Sequence, residues 1–243
     1  MSVAIIIPAR LASTRLPNKP LVDILGQTMI ARVYQKARQV SNAKVFVACD
    51  SDKVKQEIEN LGGTAILTDS NLASGTDRVY AALQLIDEDF DTIVNLQGDL
   101  PNIDPKVIDA AIASIKNSDA DIATVASVIT HQDEINDPNI VKIAISFESP
   151  VSGKALYFSR LAIPYSKNQD QSYYHHIGIY AYKKAALEKF VILKPSDLEI
   201  RESLEQLRAL ENDMKISVQI VESNPLSVDT KKDLENVIKD IKG

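Results

Sequence analysis

Cysteine, surplus positive charge and long hydrophobic runs are scarce or missing in this chain. A single cysteine among 243 residues excludes an intramolecular disulfide framework and a multi-cysteine metal site, and it favours a reducing compartment. The 27 lysines and arginines are outnumbered by 33 aspartates and glutamates, which gives a net charge of -6. This mildly acidic balance excludes a polybasic nucleic-acid-binding protein, and the ordinary charged content excludes a disordered acidic tail.

The amino terminus has no basic leader and no long apolar segment. Met1 to Ala4 run directly into Ile5, Ile6, Ile7 and Pro8, a stretch far too short for an export signal or a membrane span. We therefore expect a cytoplasmic protein without membrane insertion.

Hydrophobic residues make up 45% of the chain, which is enough for a sizeable core. Short apolar runs alternate with segments of helical period in the first half, a pattern typical of a parallel sheet covered by helices. The sequence thus predicts an α/β fold: a mostly parallel, Rossmann-like sheet with helices on both faces, plus a smaller antiparallel β lobe. No repeat or linker interrupts the chain, so we expect a single domain, with a nucleotide-binding half over 1–121 and a second half over 122–243.

Particular elements follow from the same patterns. Predicted strands cover 4–7, 44–49, 64–67, 92–96, 122–129, 141–146, 155–158, 177–182 and 216–221. A helix is expected over about 198–210. A last helix follows Thr230, which begins a capping-box pattern with Asp233.

The loop after the first strand carries three cations, Arg10, Arg15 and Lys19, and no acid between residues 9 and 20. Cations on a proline-stiffened loop at the end of a strand suit a triphosphate, because each phosphate needs a positive partner; the alternative is a solvated loop. The loop has no glycine, unlike the Walker and dinucleotide-binding loops. This absence weakens an ordinary NTPase or dehydrogenase interpretation.

Three further segments could complete a nucleotide site. Ser74 to Arg78 could hold a base or sugar at a helix start, or Ser74 could merely cap the helix while Arg78 pairs on its surface. Asp99, on a turn after the fourth strand, could hold Mg²⁺ or be only structural. Asp229 precedes a helix and is more often a cap than a ligand; it gains interest only if the fold brings it close to Asp99.

Polar residues of the second half are candidates for a substrate site. His175 and His176 are adjacent in a predicted strand, so we expect one ring in a cleft and the other in solvent, with Tyr180 sharing the face of His176. Arg160 could bind an acid substrate or form a surface ion pair. Polar residues of the 198–210 helix could contact sugar hydroxyls, or the helix could be simply amphipathic.

Ordered motifs along nearly the whole chain resemble the 3-deoxy-manno-octulosonate cytidylyltransferases, the CMP-Kdo synthetases of lipopolysaccharide synthesis. The motifs are IIPARLASTRLPNKPL at 6–21, SGTDR at 74–78, VNLQGD at 94–99, DPNIVK at 137–142, ALYFSR at 155–160, HIGIYAY at 176–182, LEQLR at 204–208 and VDT at 228–230. No single motif is decisive, but their order and separation together are specific.

The resemblance implies a fold of the nucleotide-diphospho-sugar transferase type and transfer of CMP from CTP to the anomeric hydroxyl of Kdo, with release of pyrophosphate. It implies Mg²⁺ held by Asp99 and Asp229, a homodimer, and catalytic roles for Arg15, Lys19 and Asp99. The implied nucleotide-binding residues are Pro8, Ala9, Arg10, Ser74, Gly75, Thr76, Arg78 and Gln97, with the 74–78 loop near cytosine. The implied sugar-acid contacts are Arg160, His176, Tyr180, Glu205 and Gln206.

The chain departs from the family pattern at two positions. Asn18 replaces a glycine in the first loop, and asparagine tolerates left-handed backbone angles. Leu100 replaces a glutamate after Asp99, which affects metal affinity or substrate choice more than the reaction class. Alternatives are the same reaction on another sugar acid, such as 8-amino-Kdo or a sialic acid, and a nucleotide-binding regulator without catalysis.

Overall fold

The computed structural model describes residues 2–165, 167 and 172–242. The strands are β1 (Val3–Ala9), β2 (Asp23–Ile24), β3 (Gln27–Thr28), β4 (Ala43–Cys49), β5 (Thr64–Leu67), β6 (Thr92–Asn95), β7 (Ile122–Val128), β8 (Lys142–Ser149), β9 (Ser152–Ser159), β10 (Tyr174–Lys183) and β11 (Ile216–Ile220). The α-helices are α1 (Met29–Ala37), α2 (Asp52–Asn60), α3 (Gly75–Leu83), α4 (Pro105–Lys116), α5 (Gln132–Asn136), α6 (Lys184–Val191), α7 (Asp197–Glu202), α8 (Leu207–Glu211) and α9 (Lys231–Lys242). Among these described helices, none is long and apolar enough to cross a membrane.

The chain forms two compact units. The first contains Met1–Ile108 and Pro225–Gly243, and the second contains Asp109–Asn224. From sequence we assigned residues 225–243 to the second half, whereas in the structure they belong to the first unit. The mixed α/β class is as predicted.

The first unit is built on parallel strands in the order β5, β4, β1, β6. Most of β1 is buried, as expected for a parallel strand covered on both faces. Because these strands run in one direction, the loops that follow β1, β4, β5 and β6 emerge at one edge of the sheet. That edge carries the polar residues of the candidate site.

An apolar cluster ties the C-terminal helix to the first loop. Val228 and Val237 are fully buried against Leu16, Ile24 and Met29. The predicted capping box is confirmed: the Asp233 amide donates to Thr230 Oγ1 (3.3 Å), and the Thr230 amide donates to Asp233 Oδ2 (2.8 Å). Burial and capping therefore hold the residues just before α9 in one position.

The second unit carries strands in the order β10, β7, β11, β9, β8, and β8 also pairs with β10 through Lys142 and His175. The pairs are antiparallel except β7 with β11, which is parallel. The four strands expected to form the antiparallel lobe, β7, β8, β9 and β10, therefore pair antiparallel with one another, and β11 adds the parallel pair with β7.

The predicted helix over 198–210 is wrong as a continuous helix. α7 ends at Glu202. The next residue, Ser203, has a left-handed backbone with φ 53°, and α8 begins only at Leu207. A non-glycine residue in that conformation cannot continue a right-handed helix. Glu205 and Gln206 therefore lie in the break between two short helices.

Candidate active site

A cleft of about 770 Å³ lies in the first unit. The loop after β1 lines it together with residues 72–75, Arg78, residues 97–99 and Asp229. The fold thus gathers the cationic loop, the SGTDR segment and both aspartates, although Asp229 lies 130 residues beyond Asp99 in the sequence.

Asp99 and Asp229 converge on one ammonium group. Lys19 Nζ donates to Asp99 Oδ2 and to Asp229 Oδ1, each at 2.8 Å. Arg15 Nη2 lies 3.3 Å from Asp229 Oδ2. The sequence made Asp229 a candidate metal ligand only if the fold brought it close to Asp99, and the structure does so.

The local charges follow from this arrangement. Burial opposes the charge on Lys19, but the carboxylates of Asp99 and Asp229 outweigh it and raise the Lys19 pKa above its ordinary 10.5. Burial would raise the pKa of Asp229, yet the hydrogen bond and charge of Lys19, with the charge of Arg15, lower it below 3.8. Lys19 and Asp229 are therefore both charged at neutral pH.

Backbone contacts explain why the two aspartates meet. The Val228 amide donates to the Asp99 carbonyl (3.0 Å), which lays residues 228–229 against the turn after β6. Asp233 Oδ2 also accepts from the Asp229 amide (3.1 Å). Leu100, which follows Asp99 on this turn, is buried, with 5% of its surface exposed.

The first loop has the conformation that its sequence requires. Asn18 adopts left-handed angles (φ 53°, ψ 35°), as expected for the residue that replaces glycine, and it precedes the short 3₁₀ turn Lys19–Leu21. Lys19 thereby points at the aspartates, whereas the Arg15 side chain is 66% exposed and Arg10 is exposed on the cleft.

The loop before α3 combines a cap with a buried arginine. Ser74 caps α3 through a reciprocal capping box with Asp77, so that alternative is confirmed for Ser74. A surface pair for Arg78 is wrong: its side chain is 3% exposed, and Nη2 lies 3.4 Å from Asp50 Oδ2. Its Nη1 donates to Thr68 Oγ1 at 2.6 Å.

A hydrogen-bonded chain runs beneath the cleft. Gln97 Nε2 donates to Asn95 Oδ1 (3.0 Å), and Asn95 Nδ2 donates to Thr76 Oγ1 (3.2 Å). Thr76 and Asn95 are both buried. Gly98 is needed for space, because a Cβ there would lie 2.9 Å from the Pro8 carbonyl oxygen.

Sequence reasoning missed Asp50, Thr68 and Asn95, which support this wall of the cleft. Their signal was available: Asp50 directly follows β4, Thr68 directly follows β5, and Asn95 ends β6. Polar residues at the carboxyl ends of parallel strands are candidates for a site or its support.

In the second unit, His176 is buried and surrounded by rings. Its Nε2 lies 3.0 Å from Thr124 Oγ1, and its centroid lies 4.8 Å from Phe158 and 5.5 Å from Tyr180. Tyr180 thus shares its side of the strand, as predicted. Burial, with a small contribution from the charge of His175, lowers the His176 pKa to about 3. The ring is therefore neutral at pH 7 and acts only as a hydrogen-bonding group.

The other candidates of the second unit differ in their environment. Burial lowers the pKa of His175, which is half-buried and not the solvated ring expected. Burial also raises the pKa of Tyr180 far above 10, so its hydroxyl stays protonated. Gln206 is buried, and Glu205 Oε1 lies 3.9 Å from Arg208 Nη2.

Arg160 binds backbone carbonyls, and among the described residues it does not form the surface ion pair considered as an alternative. Its Nε donates to the Glu202 carbonyl (2.7 Å), Nη1 to that of Pro138 (2.9 Å) and Nη2 to that of Ser203 (3.2 Å). Glu202 in turn accepts from the Arg160 amide (3.0 Å). Within the part of the chain that the structure describes, these bonds use three of the five guanidinium N–H groups.

Comparisons with known proteins agree with these features. Residues 4–216 match the family model described as Cytidylyltransferase. The 3-deoxy-manno-octulosonate cytidylyltransferase of Bartonella quintana is 49% identical over 97% of this chain and 96% of its own length, and that of Methylobacterium radiotolerans is 46% identical over 95% and 93%.

Solved structures extend the comparison to the fold. A CMP:2-keto-3-deoxy-manno-octonic acid synthetase complexed with CTP superposes with a TM-score of 0.93 at 37% identity, covering 100% of this chain and 99% of that one. A 4-diphosphocytidyl-2C-methyl-D-erythritol synthase from Anaerococcus prevotii shares the fold alone, with a TM-score of 0.65 at 13% identity over 100% of this chain and 99% of that one. On this evidence the chain belongs to the 3-deoxy-manno-octulosonate cytidylyltransferases of the Cytidylyltransferase family.

Proposed function

We propose that this protein transfers CMP from CTP to the anomeric hydroxyl of Kdo and releases pyrophosphate, for lipopolysaccharide synthesis. The observation that carries the proposal is the convergence of Asp99 and Asp229 on Lys19 within a cleft lined by the cationic loop. Family membership names the nucleotide and the sugar acid. The sugar hydroxyl attacks the α-phosphorus in line, and pyrophosphate leaves.

The first unit carries the nucleotide in this proposal. Arg10, Arg15 and Lys19 bind the phosphates, and Arg15 and Lys19 neutralise the pyrophosphate that leaves. Such transfers need little covalent participation by the protein, so positioning and charge neutralisation supply most of the rate. The wall from Ser74 to Arg78, with Gln97, holds cytidine, while Pro8 and Ala9 shape the floor of the cleft.

Asp99 and Asp229 are the residues that would hold a divalent cation. Both bind the same ammonium group at 2.8 Å, so one positive centre can satisfy both carboxylates, and carboxylate oxygens are the ligands that Mg²⁺ prefers. Within the described residues no group of three or more His, Cys, Asp or Glu side chains forms a metal cage. Two carboxylates suit Mg²⁺, which keeps waters and binds substrate phosphates. Bound there, the ion would lower the charge penalty at the reacting phosphorus.

Residues of the second unit bind the sugar acid in the proposal. Arg160 offers its remaining N–H groups, His176 and Tyr180 act as neutral hydrogen-bonding groups, and Glu205 and Gln206 contact hydroxyls from the break between α7 and α8. The neutral state of His176 leaves Arg160 as the cation of this set for the sugar carboxylate.

Two further features belong to the proposal. The protein is a cytoplasmic homodimer, and β8, β9 and the turn between them carry the exposed apolar residues Phe147, Val151 and Leu156, which a second subunit would cover. A buried, unpaired Cys49 suits a reducing compartment. Light scattering after size exclusion tests the dimer: a monomeric mass at micromolar concentration contradicts it.

A substrate panel tests the reaction. Pyrophosphate release is measured with CTP, UTP and ATP, each combined with Kdo, 8-amino-Kdo and a sialic acid in the presence of Mg²⁺. We expect the highest kcat/KM with CTP and Kdo. If pyrophosphate is released with CTP and another sugar acid but not with Kdo, that other sugar acid is the substrate. If CTP binds but no pyrophosphate is released under any condition, the alternative of a nucleotide-binding regulator without catalysis is favoured.

A further inference from the structure

Asp50 joins two parts of the cleft wall without lining the cleft itself. Its Oδ1 accepts from the Leu11 amide at 2.8 Å, which anchors the loop after β1 to the end of β4. Its Oδ2 lies 3.4 Å from Arg78 Nη2. The Asp50 side chain is 7% exposed, so both contacts are largely shielded from water.

Arg78 is fixed at a second point. Its Nη1 donates to Thr68 Oγ1, and Thr68 is itself held by two bonds to the Cys49 carbonyl, from its amide at 2.8 Å and from its hydroxyl at 3.1 Å. A guanidinium group held at both terminal nitrogens cannot rotate. Arg78 therefore faces the cleft in one orientation.

The pairing also divides the cleft by charge. Asp50 neutralises Arg78, so this end can offer hydrogen bonds without net charge, which suits a base or ribose. Arg10, Arg15 and Lys19 exceed the two aspartates near them by one positive charge, which suits phosphates.

We infer that Asp50 is a positioning residue for the nucleotide: it fixes the Leu11 amide and the Arg78 guanidinium before CTP binds. This inference rests on the proposed function, because CTP is its ligand. Asp50 acts through its two partners and does not touch the reacting atoms. Its loss should therefore weaken nucleotide binding and leave the chemical step nearly intact.

The test compares Asp50→Asn with Asp87→Asn. The first variant keeps an oxygen for the Leu11 amide but removes the charge and turns an amide N–H towards Arg78. The second makes the same charge change at an exposed residue. We measure the Kd for CTP by calorimetry, the KM values for CTP and Kdo, kcat, and the melting temperature.

For Asp50→Asn we expect Kd and KM for CTP to rise at least about tenfold, while kcat and the KM for Kdo stay within about twofold of wild type. Asp87→Asn should match wild type. A merely structural role would reduce the active fraction, so kcat would fall with KM unchanged, and that result overturns the inference. Wild-type CTP affinity in Asp50→Asn overturns it as well.

A second variant decides the matter if Asp50→Asn does not fold. Thr68→Val keeps the side-chain shape but removes the hydroxyl that accepts from Arg78, and we expect a rise of about threefold in the Kd for CTP. An unchanged Kd then overturns the inference. If wild-type protein neither binds CTP nor releases pyrophosphate, the proposed function fails instead.

Discussion

Burial of a neutral histidine in the second unit makes stability depend on pH in a calculable way. The pKa of His176 is about 3 in the folded protein, against 6.5 for an ordinary histidine. Between these values the unfolded chain binds a proton that the folded chain does not. The free energy of unfolding therefore falls as the pH falls below about 6.5, and the contribution is fully present above that pH.

The size of the effect follows from the linkage relation. One pKa unit corresponds to about 1.4 kcal/mol, so the contribution of His176 decreases by about 2 kcal/mol between pH 7 and pH 5. Other titrating groups also make the free energy of unfolding depend on pH. His175, whose pKa is also lowered, changes it in the same direction as His176. A comparison between variants is needed to isolate His176.

The variant is His176→Gln, which can still hydrogen-bond to Thr124 but does not titrate. Urea unfolding at pH 7 and pH 5 gives the loss of stability for each protein. We expect wild type to lose about 2 kcal/mol more than His176→Gln over this interval. His131→Gln, at an exposed histidine, should keep the wild-type loss. Equal losses in wild type and His176→Gln would refute a buried neutral ring at this position.

Two other substitutions test the local structure around the site. Gly98→Ala places a Cβ about 2.9 Å from the Pro8 carbonyl oxygen, so we expect the free energy of unfolding, measured in urea, to fall by about 1–3 kcal/mol. Unchanged stability would show that the backbone around Pro8 can move away without cost. Thr230→Val removes the hydroxyl that accepts from the Asp233 amide, which should cost about 1 kcal/mol. Thr230→Ser should keep most of that stability, and equal losses in both variants would contradict the cap.

Much of the first unit could be predicted from sequence because its signals are local. Apolar runs gave β1, β4, β5 and β6 to within a few residues, and loop composition pointed to Lys19 and Asp99. The convergence of Asp229 on Asp99 could be stated only as a condition. It depends on burial of Val228 and on the bond between its amide and the Asp99 carbonyl, which are long-range contacts.

Errors arose where a local pattern admits two structures. The 198–210 segment has a helical composition throughout, but Ser203 takes a left-handed conformation and splits it. For Arg78, a surface ion pair remained an alternative to a binding role, because its partner Asp50 is 28 residues away in the sequence. The neutral state of His176 could not be predicted from sequence either, because it depends on the rings of Phe158 and Tyr180 packed around it.

The central claim is that Asp99 and Asp229 together bind a divalent cation beside the triphosphate. Mn²⁺ binding in the presence of CTP, followed by electron paramagnetic resonance, tests it most directly, with pyrophosphate release measured on the same samples. We expect Asp99→Ala and Asp229→Ala each to weaken Mn²⁺ binding at least about tenfold. Asp99→Ala should also lower turnover at least about a hundredfold with the fold intact, while Asp87→Ala behaves as wild type. Wild-type Mn²⁺ affinity together with wild-type turnover in both site variants would contradict the account.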